Sequence, residues 1–317
     1  MDRKQLISVV LPVYNEEKNV SLVAEQLLGI AKQISNRYDM EIIFVDDGSR
    51  DNSFEELIRL CEQNSMLKAL SFSRNFGHQI ALTAGFDYAK GDAIICMDSD
   101  LQHPPELIPI MLKKWEEGNN IVYTIRKDNS NISFVKRYCD IFFYWLINKV
   151  SNTPINRNAA DYRLISRIAL DEFNKLRERD RFLRGMINWV GFKNTAIEYE
   201  VGKRIHGKSS YSMWKLVKFA ANAVTSFSGA PLRTSFVAGS AIAGFAFIYG
   251  VYLVIQNLFF GAKFIPGWPS LIISVLFLGG VQLISVGILG EYIYRIFNEV
   301  KKRPLYIIDK TINVNKQ

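Results

Sequence analysis

The chain has 317 residues, a formal net charge of +8 and three cysteines, long enough for one large domain with a further element attached. Cys61, Cys96 and Cys139 lack metal-ligand spacing, which argues against a disulfide framework and fits a reducing compartment. The positive charge by itself admits nucleic acid, anionic lipid or an anionic substrate, but the chain holds no Gly-x-Gly-x-x-Gly, so a dinucleotide reading loses support.

In chain order, Met1 to Lys4 leads directly into an apolar run at residues 7–13, so no cleaved leader is expected and the N-terminal region is placed in the cytosol. Strand-like runs at 7–13, 41–45, 68–73, 93–97 and 121–125 alternate with helical patterns at 19–35, 53–64, 79–89 and 105–117. That alternation predicts an α/β domain with a mostly parallel sheet over residues 1–210. Ligands of such open sheets bind beyond the carboxyl ends of the strands.

The polar residues gather at those ends. The first strand runs into Pro12-Val13-Tyr14-Asn15-Glu16, the second into Asp46-Asp47-Gly48-Ser49, the third into Arg74-Asn75 and the fourth into Asp98-Ser99-Asp100. Singly, these are helix caps and turns; together they favour a nucleotide site. Asp98 and Asp100, with Gln102 two residues on, form an oxygen-only donor set suited to Mg2+ or Mn2+, metals that complete their shell with substrate phosphates. Standing alone, the pair reads sooner as the end of a strand and the cap of the next helix. His78 and His103 lack a second nitrogen or sulfur ligand at suitable spacing and are expected to cap or hydrogen-bond rather than bind metal.

Two segments, 133–150 and 211–227, mix aromatic and aliphatic residues with Lys and Arg, a pattern that fits a membrane interface or ordinary packing. Residues 211–232 are taken as an amphipathic juxtamembrane segment. No Asp, Glu, Lys or Arg occurs between Arg233 and Lys263, or between Lys263 and Glu291. Each interval exceeds the roughly 20 residues that cross a bilayer core. Two transmembrane helices, about 235–258 and 271–294, are therefore expected within 233–296, followed by a cytosolic tail at 297–317. Basic residues flank the outer ends of the pair, Lys215, Lys218 and Arg233 before it and Arg295, Lys301, Lys302 and Arg303 after it, which puts both ends in the cytoplasm. Small residues on both helices suit close helix contact, within one hairpin or in a homo-oligomer such as a tetramer.

Val10-Leu11-Pro12-Val13-Tyr14-Asn15-Glu16, Val45-Asp46-Asp47-Gly48-Ser49, Met97-Asp98-Ser99-Asp100-Leu101-Gln102-His103-Pro104 and Ala160-Asp161-Tyr162-Arg163-Leu164 resemble the family 2 glycosyltransferases of GT-A fold. With the two C-terminal helices, the chain resembles the bacterial polyprenyl-phosphate glycosyltransferases of the GtrB type, related to dolichol-phosphate mannose synthase. The resemblance implies inverting transfer of a hexose, glucose from UDP-glucose first among the candidates, to undecaprenyl phosphate at the cytoplasmic face of the bacterial plasma membrane, for modification of a cell-envelope glycan. It implies that Pro12, Tyr14, Glu16, Asp46, Asp98 and Ser99 bind the nucleotide sugar, and that Asp98, Asp100 and Gln102 hold Mg2+ or Mn2+ against the diphosphate. Asp161 matches the family's catalytic aspartate. A phosphate monoester with a second pKa near 6 is already largely a dianion at cytosolic pH, so Asp161 is expected to orient sugar hydroxyls or the acceptor, or to take a residual proton. As a structural carboxylate it would instead pair with Arg163 or Arg157. A dianionic acceptor calls for cations and hydrogen-bond donors, and Arg126, Arg137, Arg204, Lys208 and Ser209 are the candidates, the arginines because a guanidinium binds phosphate oxygens bidentately. UDP-N-acetylglucosamine is the alternative donor. A processive synthase predicts more spans and a Gln-x-x-Arg-Trp motif, which Arg181-Phe182-Leu183-Arg184-Gly185 matches only partly. A membrane scaffold without turnover is the alternative from another class, and no nucleic-acid partner is expected.

Overall fold

The computed structural model describes residues 4–126, 159–199 and 267–314, together with individual positions between 235 and 259. The chain divides into two compact units, residues 1–212 with 303–317, and residues 213–302.

The first unit is built on an eight-stranded mixed sheet. Its elements are β1 (Gln5–Val13), α1 (Glu17–Ile34), β2 (Tyr38–Asp46), α2 (Ser53–Gln63), β3 (Leu67–Phe72), α3 (His78–Tyr88), β4 (Ala93–Cys96), a 3-10 turn (Pro105–Leu107), α4 (Ile108–Glu116), β5 (Ile121–Arg126), β6 (Ala159–Ser166), α5 (Arg167–Asn174), α6 (Leu183–Trp189), β7 (Asn194–Tyr199) and β8 (Ile308–Ile312). The strand order is β7-β5-β6-β4-β1-β2-β3-β8. Strands β1 to β4 pair in parallel, β6 runs antiparallel to both β4 and β5, and β8 runs antiparallel to β3.

The central strands are apolar on both faces because both are covered. Ile7, Val9 and Leu11 of β1 and Ile42 and Phe44 of β2 share a core with Val20, Val23 and Leu27 of α1, Leu57 of α2 and Met111 of α4. On the opposite face α3 packs on β1 and β2, and Phe86 meets Phe173 of α5 edge-on. Gly85 of α3 permits that approach, since a Cβ there would lie 2.1 Å from Val10 Cγ1.

The strands expected at 7–13, 41–45, 68–73, 93–97 and 121–125 all form, within a few residues of the expected bounds. Three strands had no counterpart in the sequence pattern: β6, β7 and β8. The last returns from beyond the apolar region to the edge of the sheet, with Leu70 opposite Thr311 and Ser71 opposite Lys310. Asn313, in the left-handed region at φ 57°, fastens it by donating Nδ2 to Cys61 O (2.7 Å) and Leu67 O (2.9 Å).

In the second unit α7 (Trp268–Val300) begins with Pro269 in its first turn, where a missing N–H costs nothing. Its window Phe277–Val300 is long and apolar enough to cross a membrane. The described positions between 235 and 259 are all helical.

Candidate active site

The carboxyl ends of β1, β2, β3 and β4 open on one rim, and the loops that follow them are locked together. Asn15, at φ 56°, donates its backbone N–H to Ser49 Oγ (3.0 Å), and its side-chain oxygen accepts from Arg50 N (2.8 Å). Glu16 N donates to Ser53 Oγ (2.8 Å), and the Glu16 carboxylate accepts from Asn19 Nδ2 (2.5 Å). Pro12, near the end of β1, offers its carbonyl to Ser99 Oγ (2.9 Å), which joins the β1 and β4 ends. Tyr14 stands out from this rim, 42% exposed.

The two aspartates at the end of β2 are buried. Asp46, 2% exposed, accepts Ser49 N at Oδ1 (3.1 Å) and Ser71 Oγ at Oδ2 (2.8 Å). Asp47 accepts from Phe76 N (2.6 Å) and Gly77 N (2.9 Å at Oδ2), so it organises the start of α3. Burial nevertheless raises its carboxyl above the usual range. Gly48 between loops is at φ +67°, and a Cβ there would lie 2.6 Å from the Arg74 carbonyl carbon. Only glycine satisfies both the backbone angle and the close approach.

Asp98 stands at the end of β4 among histidines. Its Oδ1 lies 2.8 Å from His78 Nε2, and its backbone N–H donates to His103 Nδ1 (3.0 Å). That bond fixes the buried His103 as the Nε2–H tautomer, and Nε2 then faces Asp98 Oδ2 at 3.8 Å. Burial opposes the charge on Asp98, but the hydrogen bond from His78 and the proximity of His103 hold its carboxyl below the usual range. Desolvation disfavours the charged His78 ring, yet the bond and charge of Asp98, with Asp161 beyond, raise its pKa. His103 is lowered, mainly by burial. Asp100 Oδ1 accepts Gln102 N (3.2 Å) across Leu101, a non-glycine residue at φ 62°. Such a conformation costs energy and persists where neighbours enforce it.

Because β6 is antiparallel to β4, with Cys96 opposite Arg163, its first residues reach the same rim. Asp161 lies there, and Arg184, in the first turn of α6, grips it with a fork: Nε to Oδ1 at 2.7 Å and Nη2 to Oδ2 at 2.9 Å. Arg163 Nη2 approaches Oδ1 at 3.5 Å and donates to Ala160 O (3.0 Å). Burial opposes ionisation of Asp161, but the Arg184 guanidinium, then Arg163 and His78, hold its carboxyl far below the usual carboxylate range. A carboxylate so weakly basic does not take up a proton near neutral pH. At the end of β5, Arg126 Nε donates to Tyr199 OH (3.2 Å).

The structure thus brings Pro12, Tyr14, Glu16, Asp46, Asp98, Ser99, Asp100, Gln102, Arg126 and Asp161 to strand ends and loops of one sheet. Arg137, Arg204, Lys208 and Ser209 lie outside the described residues. Among the described residues no group of three or more His, Cys, Asp or Glu side chains forms a metal cage. Two carboxylates at a rim nevertheless fit a hard divalent cation that takes one or two protein carboxylates and draws its remaining ligands from substrate phosphate and water.

The glycosyl transferase family 2 model matches residues 8–173, a stretch that holds most of β1, all of β2 to β6, and Asp98, Asp100 and Asp161. The chain belongs to glycosyltransferase family 2. It is 42% identical over 304 residues to the "Prophage bactoprenol glucosyl transferase homolog" of Escherichia coli (strain K12), which covers 96% of this chain and 98% of that one. It is also 42% identical over 305 residues to the bactoprenol glucosyl transferase of Shigella phage SfII, covering 96% and 98%. Among solved structures, glucosyl-3-phosphoglycerate synthase from Mycobacterium tuberculosis, in complex with Mn2+, UDP and glucosyl-3-phosphoglycerate, is similar at 18% identity and a TM-score of 0.44, over 70% of this chain and 78% of that one.

As a family 2 member the chain is a glycosyltransferase enzyme. Two residues of this site were not among its sequence candidates. Arg184 lies on a short helix outside every quoted motif, and only its place in Arg181-Phe182-Leu183-Arg184-Gly185 hinted at a role. His78 was expected to cap or hydrogen-bond, and its partner proved to be Asp98.

Proposed function

We propose that this enzyme transfers a hexose, glucose from UDP-glucose, to undecaprenyl phosphate at the cytoplasmic face of the plasma membrane. The observation that carries the reading is the 42% identity to bactoprenol glucosyl transferases over 96% of the chain, which extends well beyond residues 8–173 and across the charge-free intervals. Family 2 membership alone carries no acceptor.

In this proposal Tyr14, Glu16, Pro12 and Ser99 shape the donor pocket, and Asp46 supports it from beneath through Ser49 and Ser71. Asp98, Asp100 and Gln102 would hold Mg2+ or Mn2+, which neutralises charge on the departing diphosphate. Asp161 serves as a fixed anion rather than a base, because two guanidiniums keep it ionised. The acceptor needs no strong base, since its phosphate is already mostly dianionic at neutral pH. Its oxygen attacks the anomeric carbon from the face opposite the nucleotide, and the configuration inverts. Arg126, Arg137, Arg204, Lys208 and Ser209 are the proposed acceptor-phosphate contacts.

The membrane topology in the proposal is two spans with both chain ends in the cytoplasm. The pairing of β8 with β3 supports it: strands that share a sheet lie on one side of a bilayer, so the intervening chain crosses an even number of times. Self-association through the glycine face of α7 (Gly279, Gly280, Gly287, Gly290) belongs to the same proposal.

The test is transfer of radiolabel from a panel of nucleotide sugars, UDP-N-acetylglucosamine included, to undecaprenyl phosphate by the purified full chain with Mg2+ or Mn2+. Labelled lipid from UDP-glucose is the expected product. No labelled lipid from any donor refutes the function, and label from a different donor alone refutes the sugar.

A further inference from the structure

Away from the rim, the end of the chain is tied to the loop that leads to Arg184. Asp87, in the last turn of α3, has a side chain only 15% exposed, and its carboxylate receives three hydrogen bonds. Arg177 supplies two, Nη1 to Oδ2 at 2.9 Å and Nη2 to Oδ1 at 2.8 Å. The hydroxyl of Tyr306 supplies the third, to Oδ2 at 2.8 Å. Arg177 belongs to the connection between α5 and α6, whereas Tyr306 lies between α7 and β8. The Tyr306 ring stacks on Phe72 at the end of β3, with centroids 5.4 Å apart and planes 14° from parallel. Two residues past Arg177, Arg179 donates Nη2 to the Arg303 carbonyl. The tail is itself pinned by Ser73 N donating to Ile307 O (3.1 Å).

What this loop leads into is weak on its own. The helix α6 has seven residues, and Phe182 at its start gives no side-chain cap. A helix of two turns does not hold its place without tertiary contacts. It is placed by the burial of Leu183, Met186 and Ile187, by Leu183 N donating to Gln79 Oε1 (3.1 Å), and by the grip of Arg184 on Asp161. The loop before it sets how the helix enters, and that loop is tied to Asp87 and the tail through Arg177 and Arg179, with Arg181 Nη1 donating to Leu176 O (2.7 Å) within it.

We propose that residues 303–307 are a positioning element of the active site. Through Tyr306–Asp87–Arg177 and through Arg303–Arg179 they fix loop 175–182, and so place Arg184 against Asp161. The inference rests on the reading of Asp161 as part of the transfer site. It makes the segment that follows the apolar helices a condition for turnover rather than only an edge strand.

The experiment uses the full chain in detergent. Tyr306→Phe keeps the ring on Phe72 and removes only the donor to Asp87. Asn313→Gly, which tolerates the left-handed backbone, loosens the same tail at a point that does not touch the loop. Amide exchange is followed by mass spectrometry, and transfer kinetics are measured beside it. A hydrogen bond to a charged group gives about a tenfold effect, so Tyr306→Phe should speed exchange across residues 176–186 about tenfold and lower kcat by about the same factor, with the donor KM unchanged. Asn313→Gly should raise exchange over β3 and β8 alone. Unchanged exchange across 176–186 in Tyr306→Phe, an equal rise in Asn313→Gly, or faster exchange with unchanged kcat each overturns the positioning role. If the wild-type chain forms no lipid-linked product, the functional reading fails separately, and the exchange data alone decide whether tail and loop are coupled.

Discussion

The fork between Arg184 and Asp161 sets up a stability experiment with a defined size. The two side chains are 27% and 17% exposed, and Arg163 beside them is 4% exposed. Removing one partner of a buried pair costs about 3–5 kcal/mol, and the remaining solvent contact lowers this to about 2–4 kcal/mol here. Asp161→Asn keeps the shape and one carbonyl acceptor, and Arg184→Met keeps much of the stem without the charge. Each single variant should lose about 2–4 kcal/mol, and the double variant little more than either, a coupling of about 2 kcal/mol. Thermal unfolding of the purified chain reads this as a drop of about 4–16 °C at roughly 2–4 °C per kcal/mol. The pH dependence has a fixed sign. The folded carboxyl of Asp161 is depressed, so its contribution is complete above the ordinary carboxylate value of about 3.9 and is lost as pH falls through the lower folded value. The deficit of Asp161→Asn should therefore be flat from pH 8 to pH 5 and shrink only in strong acid. Additivity of the two substitutions within about 0.5 kcal/mol would show that the pair is not coupled and refute the assignment of Asp161 as a fixed anion.

Three further outcomes follow from other parts of the molecule. Asp100→Ala should weaken UDP binding in the presence of Mn2+ by at least about tenfold, the order expected for loss of a charge-assisted contact, while Asp161→Asn leaves it near wild type; titration calorimetry separates the two, and equal losses would move Asp161 into the donor site. Glu41, buried under Ser8 Oγ (2.5 Å), Lys68 Nζ (2.5 Å) and Lys90 N (2.7 Å), is opposed by burial yet held below the usual range by those donors. Glu41→Gln should cost about 2–4 kcal/mol at neutral pH, and the gap to wild type in melting temperature should begin to narrow as pH falls below about 4.3; a gap that widens as the pH falls contradicts the assignment. Gly48→Ala should destabilise by about 1–3 kcal/mol or more, because its Cβ would meet the Arg74 backbone at a positive φ; an unchanged melting temperature would mean the two loops separate freely.

Much of this protein is set by local pattern. Apolar runs of strand length, separated by helical periods, specify β1 to β5 and the helices between them, since burial on both faces of a parallel sheet leaves a signature in consecutive residues. The same rule that places polar residues after each strand marks Asn15, Asp46 and Asp98 at one rim. The charge-free intervals after Arg233 and Lys263 are equally legible, as stretches longer than the roughly 20 residues that cross a bilayer core.

The tertiary structure decided what depends on distant partners. Strand β8 has exposed residues at Asp309 and Lys310, so its five positions carry no buried alternation, and only the open edge of β3 makes them a strand. Asp161 carried two plausible arginine partners in its neighbourhood, yet its fork comes from Arg184, 23 residues away, because the fold brings the first turn of α6 to the start of β6. His78 reaches Asp98 across 20 residues for the same kind of reason. Hydrophobic periodicity is read within one element, whereas the charge state of a carboxylate is set by whichever groups the packed chain brings within a few ångströms.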